Sequence, residues 1–180
     1  TKLRDYQQRT IDQLYKWFTG DRKGHPCIEL PTGSGKSHIV AALCKEAIQT
    51  WPETRILMLT HVKELIEQNA EKMLGHWPTA PLGIYSAGMR RRDIGKPITF
   101  AGIQSVRNKA DQIGHVNLII IDESHLVSHK NEGSYRKLID DLTAINPALR
   151  VIGLTATPYR LGHGYITDEP ALFADIIAPV

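Results

Sequence analysis

The chain has 180 residues, 42% of them hydrophobic and 23% charged, with a formal net charge of +3. That is ordinary for one soluble globular domain with a sizeable core, and no apolar run is long enough to span a bilayer. The mild basicity is compatible with a nucleic-acid partner without arguing for one, and Cys27 and Cys44 form neither a metal-ligand pattern nor a disulfide framework, which fits a reducing, cytoplasmic setting.

Along the chain, helical and strand patterns alternate, the mark of a parallel sheet flanked by helices. Ile11, Leu14, Tyr15 and Phe18 repeat at helical spacing, so an amphipathic helix precedes the first strand, His25 to Leu30. A helix is expected from Ser37 to about Gln49, a strand from Arg55 to Thr60, and a second helix from Val62 to Leu74. Shorter strands follow at Leu82–Tyr85 and Pro97–Ala101. Leu118 to Ile121 is apolar at consecutive positions, as expected of a strand covered on both faces. A helix from about Gly133 should stop at Asn146-Pro147, because proline disfavours helix in the residue before it. Arg150–Leu154 is the last clear strand. Pro31–Ser37, Thr60–His61, Asp122–His125 and Thr155–Thr157 all follow strands, on the carboxyl edge where open parallel sheets bind ligands.

Two segments carry chemistry. Leu30-Pro31-Thr32-Gly33-Ser34-Gly35-Lys36-Ser37 reads as a phosphate-binding loop, with Leu30 where the strict eight-residue pattern has Gly. A Gly-rich turn before a helix presents backbone N–H groups and the positive helix end to phosphates. Lys36 would reach the β- and γ-phosphates and Ser37 would ligate Mg²⁺. Leu118-Ile119-Ile120-Ile121-Asp122-Glu123-Ser124-His125 ends an apolar strand in an acidic pair. Asp122 would hold the metal from the other side, and Glu123 would activate the attacking water. Either segment alone could be an ordinary strand end. Both in this order read as an NTPase.

With these pieces placed, the chain resembles the N-terminal RecA-like motor domain of superfamily 2 helicases, over nearly its whole length. Leu3-Arg4-Asp5-Tyr6-Gln7 is similar to the family's Q motif, which implies that Gln7 reads the adenine edge and Arg4 stacks near the base. Ile56 to Leu65 with Gln68 is similar to motif Ia, and Thr99 to Ser105 to motif Ib. The resemblance implies backbone contacts to a nucleic-acid strand from Thr60, His61, Lys63, Gln104 and Ser105, a role that positions a strand without reading sequence. Asp122-Glu123-Ser124-His125 is a variant of motif II, with Ser where DEAD and DEAH types carry Ala. Thr155-Ala156-Thr157-Pro158 is similar to motif III, implying that Thr155, Thr157 and His125 couple nucleotide state to strand binding. Within the superfamily the overall resemblance is to bacterial RadD-type helicases, then to type III restriction motor subunits. It rests on Ala87-Gly88-Met89-Arg90-Arg91-Arg92 and on Gly153 to Gly162. Arg90, Arg91 and Arg92 form a basic loop suited to phosphate contact.

These features imply one domain, residues 1–180, with an α/β RecA-like P-loop NTPase fold, a predominantly parallel sheet and helices on both faces. The expected cofactors are ATP and Mg²⁺. The expected partners are DNA, single-stranded or branched, in preference to RNA, and a second RecA-like domain outside this chain, but no membrane. Without that second domain the chain should turn over nucleotide slowly. A rival of a different class is a nucleotide-gated switch that does not move on nucleic acid.

Overall fold

The computed structural model describes residues 5, 8–9, 11–12, 26–29, 35–122, 129–155, 159–160, 164–165 and 175–177. An eight-stranded sheet organises them. Its strands are β1 (Pro26–Glu29), β2 (Ile56–Thr60), β3 (Leu82–Ser86), β4 (Arg91–Arg92), β5 (Ile98–Gly102), β6 (Leu118–Ile121), β7 (Arg150–Thr155) and β10 (Asp175–Ile177), while β8 (Tyr159–Arg160) and β9 (Gly164–Tyr165) form a separate two-stranded ribbon. The order across the large sheet is β10-β1-β7-β6-β2-β5-β3-β4, and only the β3–β4 pairing is antiparallel. The helices are α1 (Lys36–Thr50), α2 (Lys63–His76), α3 (Ile103–Val106), α4 (Ala110–Ile113) and α5 (His129–Ile145).

Strand periodicity splits the core into two layers. Successive side chains of a strand point to opposite faces. Ile56, Met58, Ile84, Ile98, Phe100, Ile120, Ile152 and Leu154 therefore gather on one face with Ile39, Leu43 and Cys44 of α1 and Ile66, Ala70 and Met73 of α2. Leu57, Leu59, Tyr85, Ala101, Ile119, Ile121 and Val151 face the other way, against α3, α4 and Tyr135, Leu138, Ile139 and Leu142 of α5. Both faces of β2, β6 and β7 are thus buried, which is why these strands read as continuous apolar runs. The expected α/β architecture with helices on both faces is what forms. Ile11, from the expected first amphipathic helix, is buried in the α1–α2 layer; Leu14, Tyr15 and Phe18 lie outside the described residues.

Three local differences from the sequence expectation have physical causes. Helix α5 starts at His129, earlier than expected, and ends at Ile145 as the proline requires. There Asn146 donates its side-chain amide to the Val116 carbonyl (2.8 Å) and accepts the Ala148 N–H (3.1 Å), which ties the helix end to the strand edge. The short helices α3 and α4 were not expected, because four residues are too few to show a period. The third difference concerns Arg91 and Arg92. They form β4 and pair with Ser86 and Tyr85 in a hairpin, and so are not part of a free loop.

Candidate nucleotide site and strand cleft

The carboxyl edge of the sheet gathers the candidate residues. Register pairs Thr60 with Gly102 and Leu59 with Ile121, and Thr155 pairs with Glu29, so the ends of β1, β2, β5, β6 and β7 share one edge. Strand β7 lies between β1, which leads to the phosphate loop, and β6, which leads to Asp122. Gly35 precedes α1 with a left-handed backbone (φ 82°), a conformation that L side chains adopt only with strain. From it the chain enters α1 with Lys36 first, as its carbonyl accepts the His38 and Ile39 N–H groups.

Lys36 Nζ donates to Asp122 Oδ1 at 2.7 Å, joining the two chemical segments across 86 positions of sequence. The Asp122 side chain is 3% exposed and that of Lys36 is 28% exposed. A carboxylate buried that deeply costs several kcal/mol unless it is paired and hydrogen-bonded. Asp122 has both forms of relief: the Lys36 ammonium on Oδ1, and the Asn69 side-chain amide of α2 donating to Oδ2 at 2.6 Å. Its own backbone N–H donates to the Leu59 carbonyl (2.9 Å), so the residue is fixed from main chain and side chain together. Ser37 Oγ lies 3.2 Å from His76 Nε2, and the His76 ring stacks on His38 with centroids 4.8 Å apart. Thr155 is fully buried at the end of β7. Arg4, Gln7, Pro31, Thr32, Gly33, Ser34, Glu123, His125 and Thr157 lie outside the described residues.

A second cleft, about 240 Å³, opens beside this site, lined by Thr60, His61, Lys63, Ser86, Gln104 and Ser105 among others. All five residues of motifs Ia and Ib expected to contact a strand are here, brought together because β2 and β5 are hydrogen-bonded neighbours. Thr60 Oγ1 accepts the Val62 N–H (3.1 Å), and Ser105 Oγ accepts the Ala87 N–H (3.1 Å), which ties the turn after β3 to α3. The Lys63 side chain lies over Gly88, so closely that a Cβ there would fall 3.1 Å from Nζ. His61 Nδ1 is 3.4 Å from the hydroxyl of buried Tyr135. Burial raises the Tyr135 hydroxyl pKa above its ordinary value, and the charge of Asp122 adds to the shift.

The arginine cluster stands outside this lining. Arg91 Nη2 pairs with Asp93 Oδ2 at 2.5 Å, and the same oxygen accepts the Ile84 N–H at 3.0 Å. These contacts pull the Asp93 carboxyl below its usual pKa, the backbone donor most and Arg91 next among the lowering causes. Arg90 holds a left-handed φ of 54° at the turn into β4. Sequence reading passed over Asn69 and Tyr135. The signal for Asn69 was a polar residue within a buried helical stripe of Ile66, Ala70 and Met73. Tyr135 carries no such mark, since it extends the apolar stripe of Leu138, Ile139 and Leu142.

The family model described as "Type III restriction enzyme, res subunit" matches residues 1–160. The chain is similar to the ATP-dependent DNA helicase MPH1 of Debaryomyces hansenii, 27% identical over 167 residues, covering 87% of this chain and 14% of that protein. It is also similar to the ATP-dependent RNA helicase DHX58 of Mus musculus, 31% identical over 150 residues, covering 73% of this chain and 22% of that protein. The chain thus spans about a seventh and about a fifth of these two curated relatives. Among solved structures, the Pyrococcus furiosus Hef helicase domain superposes with a TM-score of 0.71 at 22% identity, over 98% of this chain and 37% of that one.

Proposed function

This chain belongs to the family of type III restriction enzyme res subunits, and from that premise we propose that it is the ATP-binding motor domain of a DNA helicase or translocase. The observation that carries the reading is the 2.7 Å contact between Lys36 and Asp122, which unites the phosphate-loop cation and the strand-end carboxylate in one part-buried pair. Two oppositely charged groups waiting at a sheet edge fit a ligand that carries both signs. Triphosphate would take Lys36, and a divalent cation would take Asp122.

The donor set fits Mg²⁺. That ion takes oxygen ligands, keeps several waters and is bound by one or two protein oxygens plus phosphate. The Asp122 carboxylate and the Ser37 hydroxyl are such oxygens, and Ser37 would exchange its contact with His76 for this role. When bound, the ion supplies charge neutralisation on the phosphates. The protein's own part is to hold phosphate with Lys36 and the N–H groups at the start of α1, and to activate water with Glu123. Arg4 and Gln7 would hold the adenine, while Thr155, Thr157 and His125 would report nucleotide state to the strand cleft. Thr60, His61, Lys63, Gln104 and Ser105 suit a sugar-phosphate backbone, since hydroxyl, amide and cation together position a strand without reading its sequence. A second RecA-like domain of the same polypeptide would close the nucleotide site, and the setting would be the reducing cytoplasm.

DNA is the nucleic acid proposed, supported by a relative named as a DNA helicase. A relative named as an RNA helicase makes RNA the competing outcome. The test is turnover by the full-length protein with single-stranded DNA, branched DNA, RNA or no nucleic acid. DNA-stimulated ATP hydrolysis is expected, abolished in Lys36→Ala. Glu123→Gln should keep Mg²⁺–ATP binding while turnover falls about 10²–10⁴-fold, the usual effect of losing a positioned base. Turnover indifferent to every nucleic acid would leave a nucleotide-gated switch. Normal turnover in Lys36→Ala would remove the phosphate loop from the mechanism.

A further inference from the structure

We infer that Asn69 is a positioning residue for the Asp122 carboxylate, and that α2 uses this contact to carry strand engagement at its first turn to the metal-binding group. The inference rests on the motor-domain reading above and names a part that the sequence motifs leave out. Asp122 is held on Oδ1 by Lys36 and on Oδ2 by Asn69. The two partners differ in what a nucleotide would do to them. The Lys36 ammonium is a mobile cation with a competing ligand in the phosphates. The Asn69 amide is neutral and sits mid-helix, where its donor gains nothing from phosphate. Once Lys36 turns to nucleotide, Asn69 is the partner among the described residues that still restrains the carboxylate. It leaves Oδ1 as the oxygen free to meet a metal.

The same helix reaches the other site. Lys63, in its first turn, lines the strand cleft, and so does Ile66. Ile66, Asn69, Thr60 and Asp122 also line one small space between the two sites, too tight to hold a water. Lys63 and Ile66, and Ile66 and Asn69, are each three residues apart and so are neighbours on the helix surface, with Ile66 between the other two. Ile66 packs on the end of β5, where its Cδ1 lies 3.2 Å from where a Gly102 Cβ would be. A shift of α2 driven by a strand at Lys63 therefore moves the Asn69 amide against Asp122 with no water to absorb the displacement. Asparagine is a poorer residue for a helix interior than alanine or leucine. A residue whose only role was to pack this stripe would not need an amide.

Three arms test this in the full-length protein. Asn69→Leu keeps the shape and removes the donor. Outer-shell partners of metal ligands typically contribute 10- to 100-fold in affinity. Mn²⁺ binding, followed by electron paramagnetic resonance with a non-hydrolysable ATP analogue present, should weaken by about that factor in Asn69→Leu. Binding of the analogue without metal should hardly move, and because Lys36 still pairs with Asp122 the variant should remain folded at the assay temperature despite some loss of stability from the missing donor. In the same variant the ratio of DNA-stimulated to basal turnover should fall. The third arm needs no variant: with selectively labelled asparagine, Mn²⁺ should broaden the Asn69 side-chain amide signal of the parent protein. Unchanged Mn²⁺ affinity in folded Asn69→Leu, or an Asn69 signal indifferent to Mn²⁺, overturns the assignment, as does a loss of affinity that merely follows unfolding of the variant at the assay temperature. A parent protein stimulated by neither DNA nor RNA would instead refute the motor reading, while the Mn²⁺ arms would still decide the positioning role.

Discussion

The seat of Lys63 offers a test of the strand cleft through Gly88, which lines the cleft but carries no side chain that could contact a strand. Gly88 has no left-handed backbone requirement, so alanine can take its φ and ψ. The added Cβ, however, would occupy the space of the Lys63 side chain, 3.2 Å from Cδ and 3.1 Å from Nζ, with Cε nearer still. The obstacle is the far end of a flexible side chain, so it yields by swinging away and the backbone need not move. Removing glycine's freedom in the unfolded chain stabilises by about 0.4–1 kcal/mol, which should offset the displaced contact and leave stability nearly unchanged. Binding should respond differently. One phosphate contact contributes about 0.7 to the slope of log K against log salt for a single strand and about 0.9 for a duplex. Referred to 1 M salt, that is about four- to sixfold in affinity at 0.15 M. Gly88→Ala and Lys63→Ala should therefore give the same shallower slope in fluorescence-anisotropy titrations of the full-length protein at several salt concentrations. Parent-like slopes in both variants would refute the cleft as a phosphate track. A shallower slope in Lys63→Ala alone would refute the reasoning that Gly88 seats the ammonium.

The hairpin changes what is expected of the arginine cluster. Because Arg91 is committed to Asp93, Arg91→Ala should leave the salt slope of DNA binding nearly unchanged, while Arg90→Ala with Arg92→Ala lowers it by up to about 1.8. Equal effects from all three would show that the ion pair does not hold Arg91 back. Cys44 is fully buried, and burial raises its thiol pKa to about 12. The unfolded chain therefore releases that proton first, and stability should fall as pH rises from about 9 towards 12, by up to about 1.4 kcal/mol per pH unit. Denaturant melts of parent and Cys44→Ala across that window should show the excess slope only in the parent; parallel curves would contradict the burial argument.

Much of this molecule was legible one residue at a time. Short apolar runs marked the central strands and period-3.6 spacing marked long helices, because the number of buried faces of an element shows in its local pattern. Consecutive apolar residues at 118–121 revealed a strand covered on both sides. Proline at 147 marked the end of α5, and the Gly-rich turn marked the entry to α1. The chemical identities of Lys36 and Asp122 were likewise visible, since cradling phosphate and holding a hard cation each require few residue types. What the sequence could not contain was distance between elements. That Asn69 meets Oδ2 of Asp122 depends on which side of α2 faces β6, and that Lys63 rests on Gly88 depends on the turn after β3 folding over β2's end. The arginines were misjudged as a loop for a related reason. Two residues are too few to show strand periodicity, and only the pairing with β3 and the pull of Asp93 make them a strand. Local spacing encodes which face of an element is buried, but the partner waiting on that face is chosen by how the whole sheet packs its helices.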